Sequence, residues 1–222
     1  MVYTPSMEHT SQTSEGKRPY HSRARQRQAE ETRQRILAAT RELFASRGYA
    51  GTTLEAIAEL AEVSPKTVAA VFGSKRALLA ELINPNAFST QVQQLLDELR
   101  ATPDPSRRLA LVAQITRQAY EPLVRELELL RTAGAVAPEL ADLARQIGTR
   151  RRQNQARLIA YLHERGMLRH DLSPVEATDV LWALTSYDVY RMLVVEQRWE
   201  PVRYETWLAQ LLIQHLLKPD DG

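Results

Sequence analysis

Apolar residues recur along this chain at intervals of three and four and almost never in strict alternation, so the expected fold class is all-α. Ile36, Leu37, Thr40, Leu43 and Phe44 share one helical face, which predicts a helix over 30–47. Gly48 is its stop, and Tyr49 is expected to pack beneath the next two helices. Three helix starts crowd the stretch 52–76. Thr52, with Glu55 three residues on, has the form of a capping box. Ser64 before Pro65 is an N-cap followed by a first-turn proline. Ser74 opens a third helix after Gly73 ends the second. The first two helices are about eight residues each, joined at Glu62-Val63, and helices so short do not stand alone in water. They must pack on each other. Ile57, Ala58 and Ala61 offer a small-residue face, Val63 fills the corner, and Val68, Val71 and Phe72 face back from the second helix. Two short helices crossing at a tight turn form a helix-turn-helix, whose second helix fits a major groove.

The pattern continues with Leu78, Leu79, Leu82 and Ile83, until Asn84-Pro85 bends or breaks it. A segment over about 86–100 carries Val92, Leu95, Leu96 and Leu99. Asp104-Pro105 opens a helix to about Tyr120, with Leu109, Val112, Ile115 and Ala119 inward. Pro122 restarts one with Leu123, Leu127 and Leu130, ended at Ala133-Gly134-Ala135. Pro138 opens a long helix to Arg165, stopped by Gly166, with an apolar stripe of Leu140, Leu143, Ile147, Leu158 and Leu162. Ser173-Pro174-Val175-Glu176 is a capping box with a first-turn proline, predicting a helix to about Gln197. Pro201 opens the last, to about Leu217. About nine helices result, in two domains: a three-helix helix-turn-helix domain over 29–83 and a helical domain over 84–222. Residues 1–28 are polar without an apolar period and are expected to be disordered.

Charge sharpens this division. Residues 1–84 hold twelve Lys/Arg against nine Asp/Glu, and 85–222 hold seventeen against eighteen, so the basic excess lies at the N-terminal end. That is the sign phosphate contact requires. Lys17, Arg18, Arg23, Arg25 and Arg27 make the end of the arm basic, which suits either a flexible arm reaching DNA or a solvated tail. The chain has no cysteine, which excludes disulfides and thiolate chemistry. No apolar leader precedes the helices, and the most apolar run, 175–195, carries Asp179, Asp188 and Arg191; a cytoplasmic protein without a membrane span is expected.

The residues of the helix-turn-helix resemble the TetR family of transcriptional repressors, whose pattern runs T-x-x-x-I-A-x-x-A-G-V-S-x-x-T-[LV]-Y-x-x-F-x-S-K-x-x-L. Thr53, Ile57, Ala58, Ala61, Val63, Ser64, Thr67, Val68, Phe72, Ser74, Lys75 and Leu78 match it. Glu62 stands where the family has Gly, at a turn position of positive φ, and Ala69 stands where the family has a phosphate-contacting Tyr. The resemblance covers 30–83; beyond it only helix count and order agree. It implies a homodimer that binds a palindromic operator on double-stranded DNA and is released by a small molecule held in the C-terminal domain. It further implies that Thr53 and Lys75 clamp phosphates, as their places at helix starts also favour; otherwise Thr53 is a cap alone and Lys75 a solvated charge.

With Val68, Val71 and Phe72 turned inward, Ser64, Lys66, Thr67, Ala69 and Ala70 are left for DNA. Lys66 can reach guanine acceptors or phosphate, and the alanines can touch thymine methyls. On the long helix, Arg151 and Asn154 interrupt the apolar stripe. They either point into a ligand cavity with Leu158 and Trp182 or form a solvated break beside Arg150 and Arg152. The helix after Ser173 is apolar on more than one face, and the last helix adds Trp207, Leu208 and Leu212, so a second burying surface is expected. Trp182, Tyr190, Leu193, Trp207, Leu208 and Leu212 are its candidates, in a four-helix interface between two copies. No enzyme, metal site or cofactor is expected: the five histidines show no ligand spacing, and there is no Gly-rich phosphate loop and no nucleophile elbow. The alternative is a helical interaction protein whose helix-turn-helix has lost strength at Glu62 and Ala69.

Overall fold

The computed structural model describes residues 18–84, 89–134 and 137–219. Among them eleven helices succeed one another: α1 (Arg18–Arg47), α2 (Leu54–Leu60), α3 (Pro65–Phe72), α4 (Lys75–Leu82), α5 (Thr90–Ala101), α6 (Pro105–Tyr120), α7 (Val124–Ala133), α8 (Pro138–Glu164), α9 (Pro174–Leu184), α10 (Tyr187–Tyr190) and α11 (Pro201–Leu216). A 3₁₀ turn over Glu121–Leu123 leads into α7, and α10 continues as a π-helical turn over Arg191–Glu196. Among the described residues the only β pairing is a single bridge, Leu168 to Leu217, so the fold is all-α as expected.

Three apolar cores hold these helices. The head core joins Ile36, Ala39 and Leu43 of α1 to Ile57, Ala58, Val68 and Leu78. The C-terminal core runs between α6, α8, α9 and α11, with Leu109, Ile159, Leu181, Leu208 and Leu212 at its centre. Between them lies a third core, in which Phe44, Leu79 and Leu82 of the head pack on Leu130, Leu140 and Leu143 of α7 and α8. The head is thus joined to the C-terminal domain by apolar contact across the 83/84 boundary. Polar ties flank that joint. Arg41 Nε donates to Glu126 at 3.0 Å, and Arg76 donates to the Glu139 carbonyl at 3.1 Å and to Gln146 at 2.9 Å.

Several expectations are corrected. The first helix begins at Arg18, not near 30, so Arg23, Arg25 and Arg27 are placed on a helix instead of a disordered arm. Over 23–29 the extension has almost no buried face, and Arg, Gln and Ala carry it by helix propensity. Residues 1–17, the Pro85 break and Ala135 lie outside the described residues. The predicted helix over 174–197 is interrupted: α9 ends at Leu184, and Ser186 caps α10 by accepting from Val189 N–H at 3.3 Å. Its start is as expected, a capping box between Ser173 and Glu176. Val71 is exposed, not turned inward.

Candidate functional site

Serine and threonine hydroxyls position the helix-turn-helix. Thr53, not Thr52, caps α2, accepting from Ala56 N–H at 3.1 Å. Thr52 is wholly buried, and its hydroxyl bonds the carbonyls of Leu43 and Gly48, pinning the turn from α1. Ser64 caps α3 through Thr67 N–H at 3.0 Å, and its hydroxyl also pairs with that of Thr67 at 2.8 Å. Ser74 caps α4 through Ala77 N–H at 3.1 Å. The bend between α2 and α3 is a Schellman turn: Val63 N–H donates to the Ala58 carbonyl at 2.9 Å, and Glu62 N–H to Glu59 at 3.1 Å. Glu62 holds the left-handed position there, with φ 54°. A side chain at that φ costs about 1 kcal/mol relative to glycine. Glu62→Gly should therefore raise the melting temperature by about 2–4 °C, the shift about 1 kcal/mol produces in a chain of this length; thermal denaturation by circular dichroism checks it, and an unchanged or lower melting point would refute it.

This frame presents α3 with Val68 wholly buried and Ser64, Lys66, Ala69 and Ala70 exposed on its outer side. Val71, 43% exposed, adds an apolar contact that the helical period did not suggest. Thr67 is half-buried with its hydroxyl engaged by Ser64. Thr53 is exposed, and while its oxygen caps α2 its hydroxyl proton remains available to an acceptor. Lys75 differs from the expectation of a free phosphate clamp or a solvated charge. Its ammonium donates to the Tyr49 carbonyl at 2.7 Å and sits 4.6 Å from the centre of the Tyr49 ring, tying α4 to the loop after α1. Beside it lies an open groove of about 600 Å³, lined by Tyr49, Thr53, Ser74, Lys75, Arg76 and Glu139.

The C-terminal candidates divide. Arg151 points inward and donates to the Thr185 hydroxyl at 3.0 Å, with its guanidinium carbon 5.0 Å from the centre of the Trp182 ring. Asn154 is exposed and accepts from Arg157, so it is no part of an inner site. Leu158 packs on the C-terminal core. Sequence reasoning missed the residues that meet Arg151. Gln155 donates to the same Thr185 hydroxyl at 2.6 Å, and Tyr120 donates to the Thr185 carbonyl at 2.9 Å. Gln155 was within reach of the sequence, since it lies one helical turn along from Arg151. The rings of Tyr120, Tyr187, Tyr190 and Tyr204 line the same region. Burial pushes the phenols of Tyr187 and Tyr190 up to about 12 and raises Tyr204 too, so at neutral pH they act as hydrogen-bonding groups without charge.

Of the residues expected at a dimer face, Tyr190, Leu208 and Leu212 are instead sealed in the protomer's own core, and Leu193 and Trp207 are half-buried against it. Trp182 remains at the surface, 39% exposed, and Val175 on α9 and Val202 on α11 are exposed as well. No helix among the described residues is long and apolar enough to cross a membrane.

Residues 36–82 match the family model described as bacterial regulatory proteins, tetR family. No curated protein matches the sequence. Among solved structures, the chain is similar to NalD of Pseudomonas aeruginosa, the secondary repressor of the MexAB-OprM multidrug efflux pump, with a TM-score of 0.69 and 24% identity over 88% of this chain and 100% of that one. It is also similar to SmeT, solved as a triclosan complex, with a TM-score of 0.68 and 20% identity over 85% and 93%. A transcriptional regulator from Saccharomonospora viridis in complex with choline has a TM-score of 0.61 and 22% identity over 86% and 100%. The matched helix-turn-helix over residues 36–82 and the shared architecture show a tetR-like fold, with an N-terminal helix-turn-helix head and a C-terminal helical domain.

Proposed function

We propose that the chain is a homodimeric repressor of transcription in the cytoplasm, which binds a palindromic operator through α2 and α3 and leaves it when a small molecule enters the C-terminal domain. The observation that carries this reading is the outer side of α3, where Lys66, Ala69 and Ala70 stand exposed on a capped, well-packed head. That side offers a cation for guanine or phosphate and methyl groups for thymine. SmeT in its triclosan complex and the regulator in complex with choline, both of similar fold, support a small-molecule effector. The exposed apolar residues Val175, Trp182 and Val202 support a partner surface on α9 and α11. Such a surface would set the two heads about 34–36 Å, or a multiple of it, apart along the duplex.

A mobility shift on the protein's own upstream DNA tests the proposal. Retardation of one palindromic segment in preference to the rest is expected. Binding to none of it would favour a helical interaction protein, the reading that Ala69 and the structural role of Lys75 support. On a shifted segment, Lys66→Ala should weaken binding by about 1–3 kcal/mol and relax preference at one base step. An equal loss on all sequences would assign Lys66 to phosphate instead.

A further inference from the structure

This inference rests on the repressor reading and concerns the chemistry of its effector. The Thr185 hydroxyl is saturated: it donates to the Leu181 carbonyl at 2.6 Å and accepts from Arg151 and Gln155. Around it, two polar atoms have no partner among the described residues, the Gln155 side-chain carbonyl and the Tyr204 hydroxyl. Tyr204 is wholly buried, and its ring meets that of Tyr190 edge-on at 5.0 Å. Buried polar atoms of a native core are almost always paired, so an orphaned hydroxyl marks a place where a partner arrives. Tyr120 joins the group through its bond to Thr185 and its ring contact with Tyr190 at 5.6 Å. Aromatic rings and polar groups thus share one neighbourhood, in which Tyr204 also lies within the influence of Arg151.

The charge at this focus is positive. Arg151 gives one N–H to Thr185 and keeps others for a further acceptor. Asp188 is close enough to influence Tyr120, but its side chain is exposed and its effect on that hydroxyl is smaller than that of Arg151. A cationic ligand would meet the guanidinium with like charge. A carboxylate would meet it with a charge-assisted, two-pronged hydrogen bond, stronger than the neutral bond to Thr185 that it replaces. We propose that Arg151, Tyr204, Gln155 and Tyr120 form the recognition site for a flat aromatic acid, its carboxyl group on Arg151, its ring among the tyrosines, and the Tyr204 hydroxyl donating to it. Occupation takes Arg151 from Thr185, the residue at the break between α9 and α10.

Calorimetric titration of the full chain without DNA tests this, using 2-naphthoate and 2-naphthylmethylammonium as probes with one ring system and opposite charge. The acid should bind at least about ten-fold more tightly than the amine. Arg151→Gln should remove that preference. Tyr204→Phe should weaken the acid several-fold while melting no lower than the parent, because it deletes a hydroxyl that has no partner among the described residues; this variant keeps the test intact if Arg151→Gln fails to fold. No heat with the acid, equal binding of the amine, or a preference for the acid that survives both substitutions would overturn the proposal. A chain that binds the acid but shifts none of its upstream DNA would keep this site and sink the repressor reading. A chain that shifts DNA but ignores the acid would do the reverse.

Discussion

Leu212→Glu is expected to unfold the C-terminal domain, not merely to separate two copies. Leu212 is wholly buried in the C-terminal core, on the same face of α11 as Leu208 and Leu216, one turn to either side. An uncompensated buried charge costs several kcal/mol, and the lost leucine packing adds about 2–5 kcal/mol. Together these rival the whole stability of an ordinary domain, about 5–15 kcal/mol. Val202→Glu is the matched control. Val202 is 63% exposed in the first turn of α11, where a carboxylate is favoured by the unpaired N–H groups of the helix start. It should leave the protomer folded and separate the proposed dimer. Far-ultraviolet circular dichroism and light scattering read the two outcomes. A folded, monomeric Leu212→Glu protein would show that Leu212 lies at the interface after all; a Val202→Glu dimer as strong as the parent would move the interface off α11.

The second large effect is expected at Val68→Asp. Val68 is the sole buried residue of α3, an eight-residue helix, and it reaches the head core beside Ile36, Ile57 and Leu78. So short a helix is held by packing and a cap, with little intrinsic stability. Aspartate there should detach α3 and abolish DNA binding at every salt concentration, beyond what any surface lysine variant does. The C-terminal core shares no residue with the head core, so most helicity should remain. Hydrogen exchange should show protection lost in α2 and α3 and kept in α6 and α11. Retained operator binding would mean that α3 is not the helix that enters the groove.

How far the sequence foretells each element depends on how local its cause is. The caps at Ser64, Ser74 and Ser173 were legible because a hydroxyl and an N–H three residues apart decide them. The cap of α2 was misplaced by one residue because Thr52 and Thr53 both have the right chemistry, and a tertiary contact separates them: Thr52 is drawn to carbonyls of Leu43 and Gly48. Val71 and Val68 differ by three positions on one helix, and only the angle at which α3 crosses α2 decides which is covered. The start of α1 was missed because periodicity reports burial, and residues 23–29 of this extension bury almost nothing. The break after Leu184 was missed because the apolar period runs on through Tyr190, although a local cap marks it: Ser186 accepts from Val189 N–H, three residues on.

The candidate site was legible to the same degree. Lys66, Ala69 and Ala70 emerged as the exposed side of α3 because the head is built from contacts near in sequence. Lys75 did not, because Tyr49, its partner, is 26 positions away. Apolar excess on α9 and α11 signalled that much surface had to be covered, but a leucine covered by its own chain and one covered by a second copy look the same in sequence. Leu208 and Leu212 proved to be the first kind.

The third core has a consequence for modularity. Phe44, Leu79 and Leu82 belong to the head by sequence, yet the surface they fill is supplied by Leu130, Leu140 and Leu143. A cut at 83/84 would leave that apolar patch open to water on both fragments. The head is therefore not a portable cassette. Grafting it onto the C-terminal domain of a relative transfers the outer face of α3 but imports a mismatched socket, unless the three leucines travel with it. Any lineage that exchanged heads by recombination would have had to repair this joint, so α1, α4, α7 and α8 are bound to change as a set, while α3 stays free to acquire a new specificity.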